Sequence, residues 1–398
     1  MNRRRFIKYS GLTSTAALVP GFIQALVAPF NQLAFQGKRL VIVQLSGGND
    51  GLNALVPFRD DNYYKLRPKL GIKADSLLKI SQEAGFHPAL QGFKQLFDKG
   101  YLSIYNSVGY PNPDRSHFRS MDIWHTGSNS DEYFNTGWIG RMLDANCPGS
   151  EKPYYVIEAD DTLSLAMKGA DKSGFAVRDP EKLRNALRDP IYDDIQKNNT
   201  HLETQSQLGF LYKTLAETTS SADYIYSKSK IYQSTKLYPQ HEIGKSLKEI
   251  AELINSGIES KVFYTSMSGF DTHVRQLETQ NRLFGIVGSA IETLVDDLIA
   301  SNNFNDTVIM VFSEFGRRVK QNASGGTDHG TANNVYIING ALKEQGICNP
   351  ISDLTILEDG DLIHQLDFRQ IYATLIEKGI GFDHTKTLMR KFELLDFI

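Results

Sequence analysis

Apolar runs of strand length alternate with polar, glycine-rich breaks along most of the chain. Residues 38–45 (KRLVIVQL) and 307–312 (TVIMVF) are continuous β-branched runs, the pattern of strands buried on both faces. Residues 102–108, 154–157, 261–265 and 334–338 read as further strands. Between them the spacing turns helical at 90–98, after Pro113, at 282–300 and at 365–378. Strand, polar loop and helix in repeated order predict an α/β fold: a largely parallel central sheet flanked by helices. From about 179 to 255 the spacing is helical and rich in Lys, Gln, Asn and Ser, which predicts a helical insertion within the domain.

The N-terminus changes the picture of where the protein works. Arg3-Arg4-Arg5-Phe6-Ile7-Lys8 precedes a weakly apolar stretch broken by Gly11, Pro20 and Gly21, the order of a twin-arginine export signal. We therefore expect a signal and linker over 1–36 and one α/β domain over 37–398. Passage through the twin-arginine translocase to the periplasm follows, with membrane anchoring left open if the signal stays uncut. A net charge of −3 provides no basic field for nucleic acid. The two cysteines, Cys147 and Cys348, cannot build a disulfide scaffold or a cysteine zinc site; one pairing stays open.

Four apolar runs end in a carboxylate, often beside glycine: Asp50, Asp271 with His273, Glu314, and Asp328 with His329. Each alone has a structural reading: a turn at Asp50, a helix cap at Asp271, a Glu314–Arg317 ion pair, a loop at Asp328–His329. Together at one sheet edge such groups repel, and a divalent cation would compensate them. Asp50, Asp271, His273, Glu314, Asp328 and His329 are thus candidate ligands. Mixed oxygen and nitrogen donors suit zinc, manganese or iron; an oxygen-dominated set would favour magnesium or calcium. Ser116, His117 and Arg317 are candidate catalytic residues: a nucleophile, a ligand or general acid, and an anion-binding fork. No P-loop or dinucleotide fingerprint is present around Gly47-Gly48-Asn49-Asp50-Gly51.

These blocks, with Arg115-Ser116-His117-Phe118, Gly137-Trp138-Ile139-Gly140-Arg141 and Ser313-Glu314-Phe315-Gly316-Arg317, resemble the bacterial DUF1501 family, grouped with the alkaline-phosphatase-like superfamily that includes sulfatases. The resemblance implies an alkaline-phosphatase-like sheet with one or two metal ions on strand ends and a nucleophile near Ser116. Asp50 would match the first-strand aspartate, Asp271 and His273 a later metal pair, and His329 the final histidine. Phe315 stands where that superfamily carries a histidine, which points to one ion or a more oxygen-rich pair. No Cys-x-Pro-x-Arg run is present for a formylglycine nucleophile. The expected activity is metal-dependent hydrolysis or transfer at a phosphate or sulfate ester, the substrate being an anionic ester. The alternatives are a non-catalytic exported binding or assembly protein on the same fold, and a serine acylhydrolase.

Overall fold

The computed structural model describes residues 38–146, 152–188 and 207–398. By backbone contacts the chain divides into Met1–Gln36 and Gly37–Ile398, and every described residue belongs to the second unit. The arginine-rich start and Cys147 lie outside the described residues.

Nine strands form the main sheet: β1 (Arg39–Leu45), β2 (Leu102–Gly109), β3 (Val156–Glu158), β4 (Phe175–Ala176), β5 (Val262–Met267), β6 (Thr307–Phe312), β7 (Asn333–Ile338), β8 (Gly346–Ile347) and β9 (Leu366–Asp367). They run in the order β8-β2-β7-β6-β1-β5-β3-β4, with β9 also on β2. β1 sits between β5 and β6, parallel to both, with Ile42 opposite Tyr264 and Met310. The one reversal is β7, antiparallel to β2 and β6. Both faces of the sheet are covered here, which explains why β1 and β6 are buried and apolar without alternation.

The helices of the described residues include α1 (Gln91–Asp98), α2 (His117–Thr126), α3 (Trp138–Asn146), α4 (Gln207–Ser229), α5 (Glu242–Asn255), α6 (Gln276–Ala300) and α7 (Phe368–Thr374). On one face Val41, Val43 and Phe263 pack with Ile250 and Ile254 of α5 and with Leu283, Val287, Ile291 and Leu294 of α6. The i, i+4, i+8, i+11 spacing of that α6 set is the apolar stripe read in the sequence. The other face carries an aromatic stack. Trp124 of α2 lies between Phe312 and Phe368, with ring centroids 4.8 and 4.2 Å away. The segment read as an insertion is not purely peripheral, since Ile243, Leu247, Ile250 and Ile254 of α5 are buried in the core. Among the described residues no helix is long and apolar enough to cross a membrane.

Candidate metal centre

β1, β5 and β6 are adjacent and parallel, so their carboxyl ends deliver Gly47-Gly48, Phe270-Asp271 and Ser313-Glu314 to one place. Open α/β sheets put ligand sites there. The close approach of these turns depends on Gly47, whose φ is +119°; a Cβ on it would lie 2.4 Å from the Asp271 amide nitrogen. Arg317 ties the turns together. Its buried guanidinium donates to the carbonyls of Gly47, Gly48, Phe270 and Thr327, and to Asp271 Oδ1 at 2.7 Å.

Three imidazoles surround that same carboxylate oxygen. The Nε2 atoms of His273, His329 and His117 lie 3.0, 3.2 and 3.5 Å from Asp271 Oδ1. Those of His273 and His329 are 3.1 Å apart. His117, Asp271 and His329 each offer an atom within 4.8 Å of the other two, and no second such group occurs among the described residues.

Every Nδ1 faces an acceptor instead. His117 Nδ1 is 3.0 Å from Glu314 Oε1, His273 Nδ1 is 3.2 Å from Asp328 Oδ1, and His329 Nδ1 is 2.8 Å from the Arg115 carbonyl. A ring that donates from Nδ1 carries its lone pair on Nε2. Second partners of this kind orient metal-binding histidines. His117 Nε2 is buried without a hydrogen-bond partner, which a neutral ring leaves as a stranded acceptor. The set of two imidazole nitrogens and one carboxylate oxygen from His117, His329 and Asp271 fits a single divalent ion, and His273 Nε2 lies 3.0 Å from the same oxygen. The set suits zinc, manganese or iron and is too nitrogen-rich for magnesium or calcium.

The electrostatics agree with a site built around charge. Burial works to raise the Asp271 pKa, but the Arg317 guanidinium and the imidazoles beside the carboxylate outweigh it and hold the group down to about 2. The bond to Glu314 raises the His117 pKa. Asn322 and His273 keep Asp328 below the ordinary carboxylate range. Asp271 and His273 keep 48 % and 41 % side-chain exposure, so the cluster is open to solvent.

The structure brings Asp271, His273 and His329 together and adds His117, a candidate read as either ligand or acid. It assigns Glu314 and Asp328 to the imidazole Nδ1 atoms. Glu314, fully buried, also accepts from the Gly47 amide at 2.8 Å. Asp50 stands apart from the cluster. Its Oδ2 takes Arg67 at 2.6 Å and Gln276 at 2.5 Å, and its Oδ1 takes the Asn53 amide, all in the interior. Arg67, seventeen residues downstream of Asp50, supplies the compensating charge expected of a metal, so the ligand assignment for Asp50 is corrected. Arg317 is corrected likewise: its guanidinium is consumed by carbonyls and Asp271 and has no fork left for a substrate anion, nor does it pair with Glu314. Phe315 packs against the rings of His117 and His329, with centroids 4.8 and 4.9 Å away. Ser116 is exposed at the N-cap of α2, its side chain making no capping bond. Sequence reasoning missed Arg67 and the tethering carbonyl of Arg115. Nothing in a lone Arg-Pro dipeptide marks the first, and a backbone acceptor has no sequence signal.

Residues 250–394 match the model of a family described as "Protein of unknown function (DUF1501)", so the resemblance read from the sequence blocks holds over that stretch. No protein of curated function matches the chain in sequence. Among solved structures it is similar to the C-terminal periplasmic domain of EcEptC from Escherichia coli, at 10% identity over 89% of this chain and 87% of that one, TM-score 0.42. It is similar to the PsFucS1 sulfatase from Pseudoalteromonas sp., at 12% identity over 95% and 75%, TM-score 0.40. A protein in the alkaline phosphatase superfamily from Vibrio parahaemolyticus matches at 12% identity over 89% and 69%, TM-score 0.40. At these identities and scores the likeness is one of architecture, a mostly parallel sheet between helices.

Proposed function

We propose that the protein is an exported, metal-dependent hydrolase or transferase acting on a phosphate or sulfate ester. The observation that carries this reading is the convergence of three Nε2 atoms on Asp271 while each Nδ1 is held by an acceptor. His117, His329 and Asp271 would hold the ion, with His273 beside them. When bound, a divalent ion supplies a Lewis acid that polarises an ester oxygen and offsets charge developing on it. The chain's own part is positional. Arg317 fixes the Asp271 carboxylate, Glu314 and Asp328 fix the ring planes, and Phe315 packs against two imidazoles. Ser116, at the start of α2 and next in sequence to His117, presents the nearest uncommitted hydroxyl in chain order. Its oxygen would attack phosphorus or sulfur as the ester oxygen leaves and takes a proton. Water, or an acceptor alcohol in a transferase, would then release the seryl ester.

One observation favours a second reading, a non-catalytic protein holding a structural metal. Arg317 and Arg119 are both committed to carbonyls, which leaves neither free to bind a substrate anion. Elemental analysis of protein from the exported fraction, with turnover of an aryl phosphate and an aryl sulfate before and after chelation, separates the two. The enzyme reading expects about one equivalent of transition metal, chelator-sensitive turnover, and its loss in Ser116→Ala. Stoichiometric metal with neither ester turned over supports the structural reading. Metal-free protein inhibited by a serine-directed phosphonate would instead support an acylhydrolase.

A further inference from the structure

Two of the three rings in the cluster are aimed by carboxylates, His117 by Glu314 and His273 by Asp328, but His329 is aimed by a backbone carbonyl. A carbonyl only accepts. At 2.8 Å the Arg115 oxygen therefore requires the His329 proton on Nδ1 and leaves the lone pair on Nε2. That bond is only as well placed as residue 115, which lies in the irregular segment between Pro113 and α2. Whatever holds residue 115 is part of what holds the ring.

The grip comes from a distant hairpin. Leu357-Glu358-Asp359-Gly360-Asp361-Leu362 sets Asp-Gly between two apolar residues, the pattern of a two-residue hairpin turn. The structure forms it, with Glu358 opposite Asp361 and the turn residues Asp359 and Gly360 at φ +51° and +83°. The strands make a two-stranded sheet of their own, anchored by Leu357 and Leu362 packing with Val319 and Ala332. Asp361 adds nothing to that anchorage. It is 1 % exposed, and a carboxylate facing another across a ladder is unfavourable. Leaving water is costly for a carboxylate unless it is paired, and here both oxygens meet guanidinium. Oδ2 pairs with Arg115, and Oδ1 lies 3.1 Å from Arg318 Nε. Both arginines bond, through their main chain, to the segment that carries His329. The Arg115 carbonyl takes His329 Nδ1, while the Arg318 amide donates to the Asp328 carbonyl at 3.0 Å, next to the bridge between Arg317 and His329. The Thr331 hydroxyl donates back to the Leu362 carbonyl and closes the circuit.

We propose that Asp361 is a positioning residue of the metal centre: through Arg115 and Arg318 it places the carbonyl that keeps the His329 proton on Nδ1. Its consequence for an ion rests on the metal reading above, but the ring can be followed without metal. In the chelator-treated full chain labelled with ¹⁵N-histidine, two-bond ¹H–¹⁵N spectra report the tautomer of each imidazole, and His329→Gln assigns the ring. Wild-type protein is expected to carry the His329 proton on Nδ1. Asp361→Asn keeps the shape but not the charge, and is expected to shift both ring nitrogens toward a mixture of tautomers. Arg115→Met cuts the same link from its other end while keeping the carbonyl. It is expected to give the same shift, and it decides the question if Asp361→Asn does not fold. Leu357→Ala loosens the hairpin through apolar contact alone and is expected to leave the His329 tautomer as in wild type. A wild-type ring protonated on Nε2, an unchanged ring in Arg115→Met, or an equal shift in Leu357→Ala overturns the assignment and leaves Asp361 a mere staple of the hairpin. Metal affinity, read by competition with a chromophoric chelator, is expected to fall about tenfold in Asp361→Asn. A shifted tautomer with undiminished affinity removes Asp361 from the metal centre. Wild-type protein that binds no metal retires the metal reading instead, and the tautomers alone then decide whether Asp361 sets the ring.

Discussion

Glu314 shows how one side chain can organise a candidate metal centre without being one of its ligands. Its Oε1 takes both the His117 Nδ1 proton and the Gly47 amide, so one buried oxygen sets a ring plane and anchors a turn. Glu314→Gln keeps an acceptor at that atom but removes the charge that makes the imidazole a stronger donor to a cation. We expect metal affinity to fall about tenfold, at the low end of what such partners contribute, as read by competition with a chromophoric chelator. Asp271→Asn removes a proposed ligand and is expected to abolish stoichiometric binding in the same assay. Asp50→Asn is expected to leave metal affinity unchanged while destabilising the fold. Its carboxylate answers the buried Arg67 guanidinium, and breaking such a pair costs about 3–5 kcal/mol. An affinity loss with Asp50→Asn matching that of Asp271→Asn would return Asp50 to the ligand set.

At the level of elements, Arg317 is the joint between β1, β5 and β6, because its donors reach the turns that follow all three. Lysine retains the charge but not the planar fork of donors, so Arg317→Lys leaves several buried carbonyls unmet. A loss of about 3 kcal/mol or more is expected in the unfolding free energy measured by urea denaturation, together with lost metal binding as Asp271 is released. The same strands explain what was legible in the sequence. Residues 39–45 and 307–312 are apolar at every position because each is flanked and covered on both faces, and that leaves an unmistakable run. Asp271, His273, Asp328 and His329 were visible because polar residues stand where such runs break. Roles were harder to read than membership. Whether a carboxylate binds a cation, an imidazole N–H or an arginine depends on which distant residue returns to it. Arg67 returns to Asp50 and His117 to Glu314, and nothing local in the chain records either meeting. The reversal of β7 was likewise hidden, since a strand buried on both faces reads the same in either direction.

For the whole molecule, stability depends on charges kept inside and would rise further with a bound metal. An ion that binds the folded chain alone raises stability by mass action, about 2.7 kcal/mol at a hundredfold excess over Kd, so chelation is expected to lower Tm. The pH response has a separate source, remote from the cluster in chain order. Glu158, at the end of β3, is buried beside Ser164, whose amide donates to it at 2.6 Å, and burial pushes its pKa up to about 7. An acid with a folded pKa above its unfolded value of about 4.5 binds more protons folded than unfolded between those limits. Stability from this group is therefore fully present below about pH 4.5, lost as pH rises, and gone above about 7. His87 and His125 act in the opposite sense. Burial lowers both to about 4, so each contributes stability above its unfolded pKa of about 6.5 that is lost as pH falls toward 4. Two rising contributions against one falling place the combined optimum of these three groups near pH 6.5. Glu158→Gln isolates the acid, because the amide still accepts from Ser164 and does not titrate. The stability of the variant minus that of wild type, from urea unfolding of chelator-treated protein, should grow from pH 5 to 7 by about 2–3 kcal/mol and then level off. A flat difference across that range would place the Glu158 carboxylate in water, and with it the carboxyl end of β3.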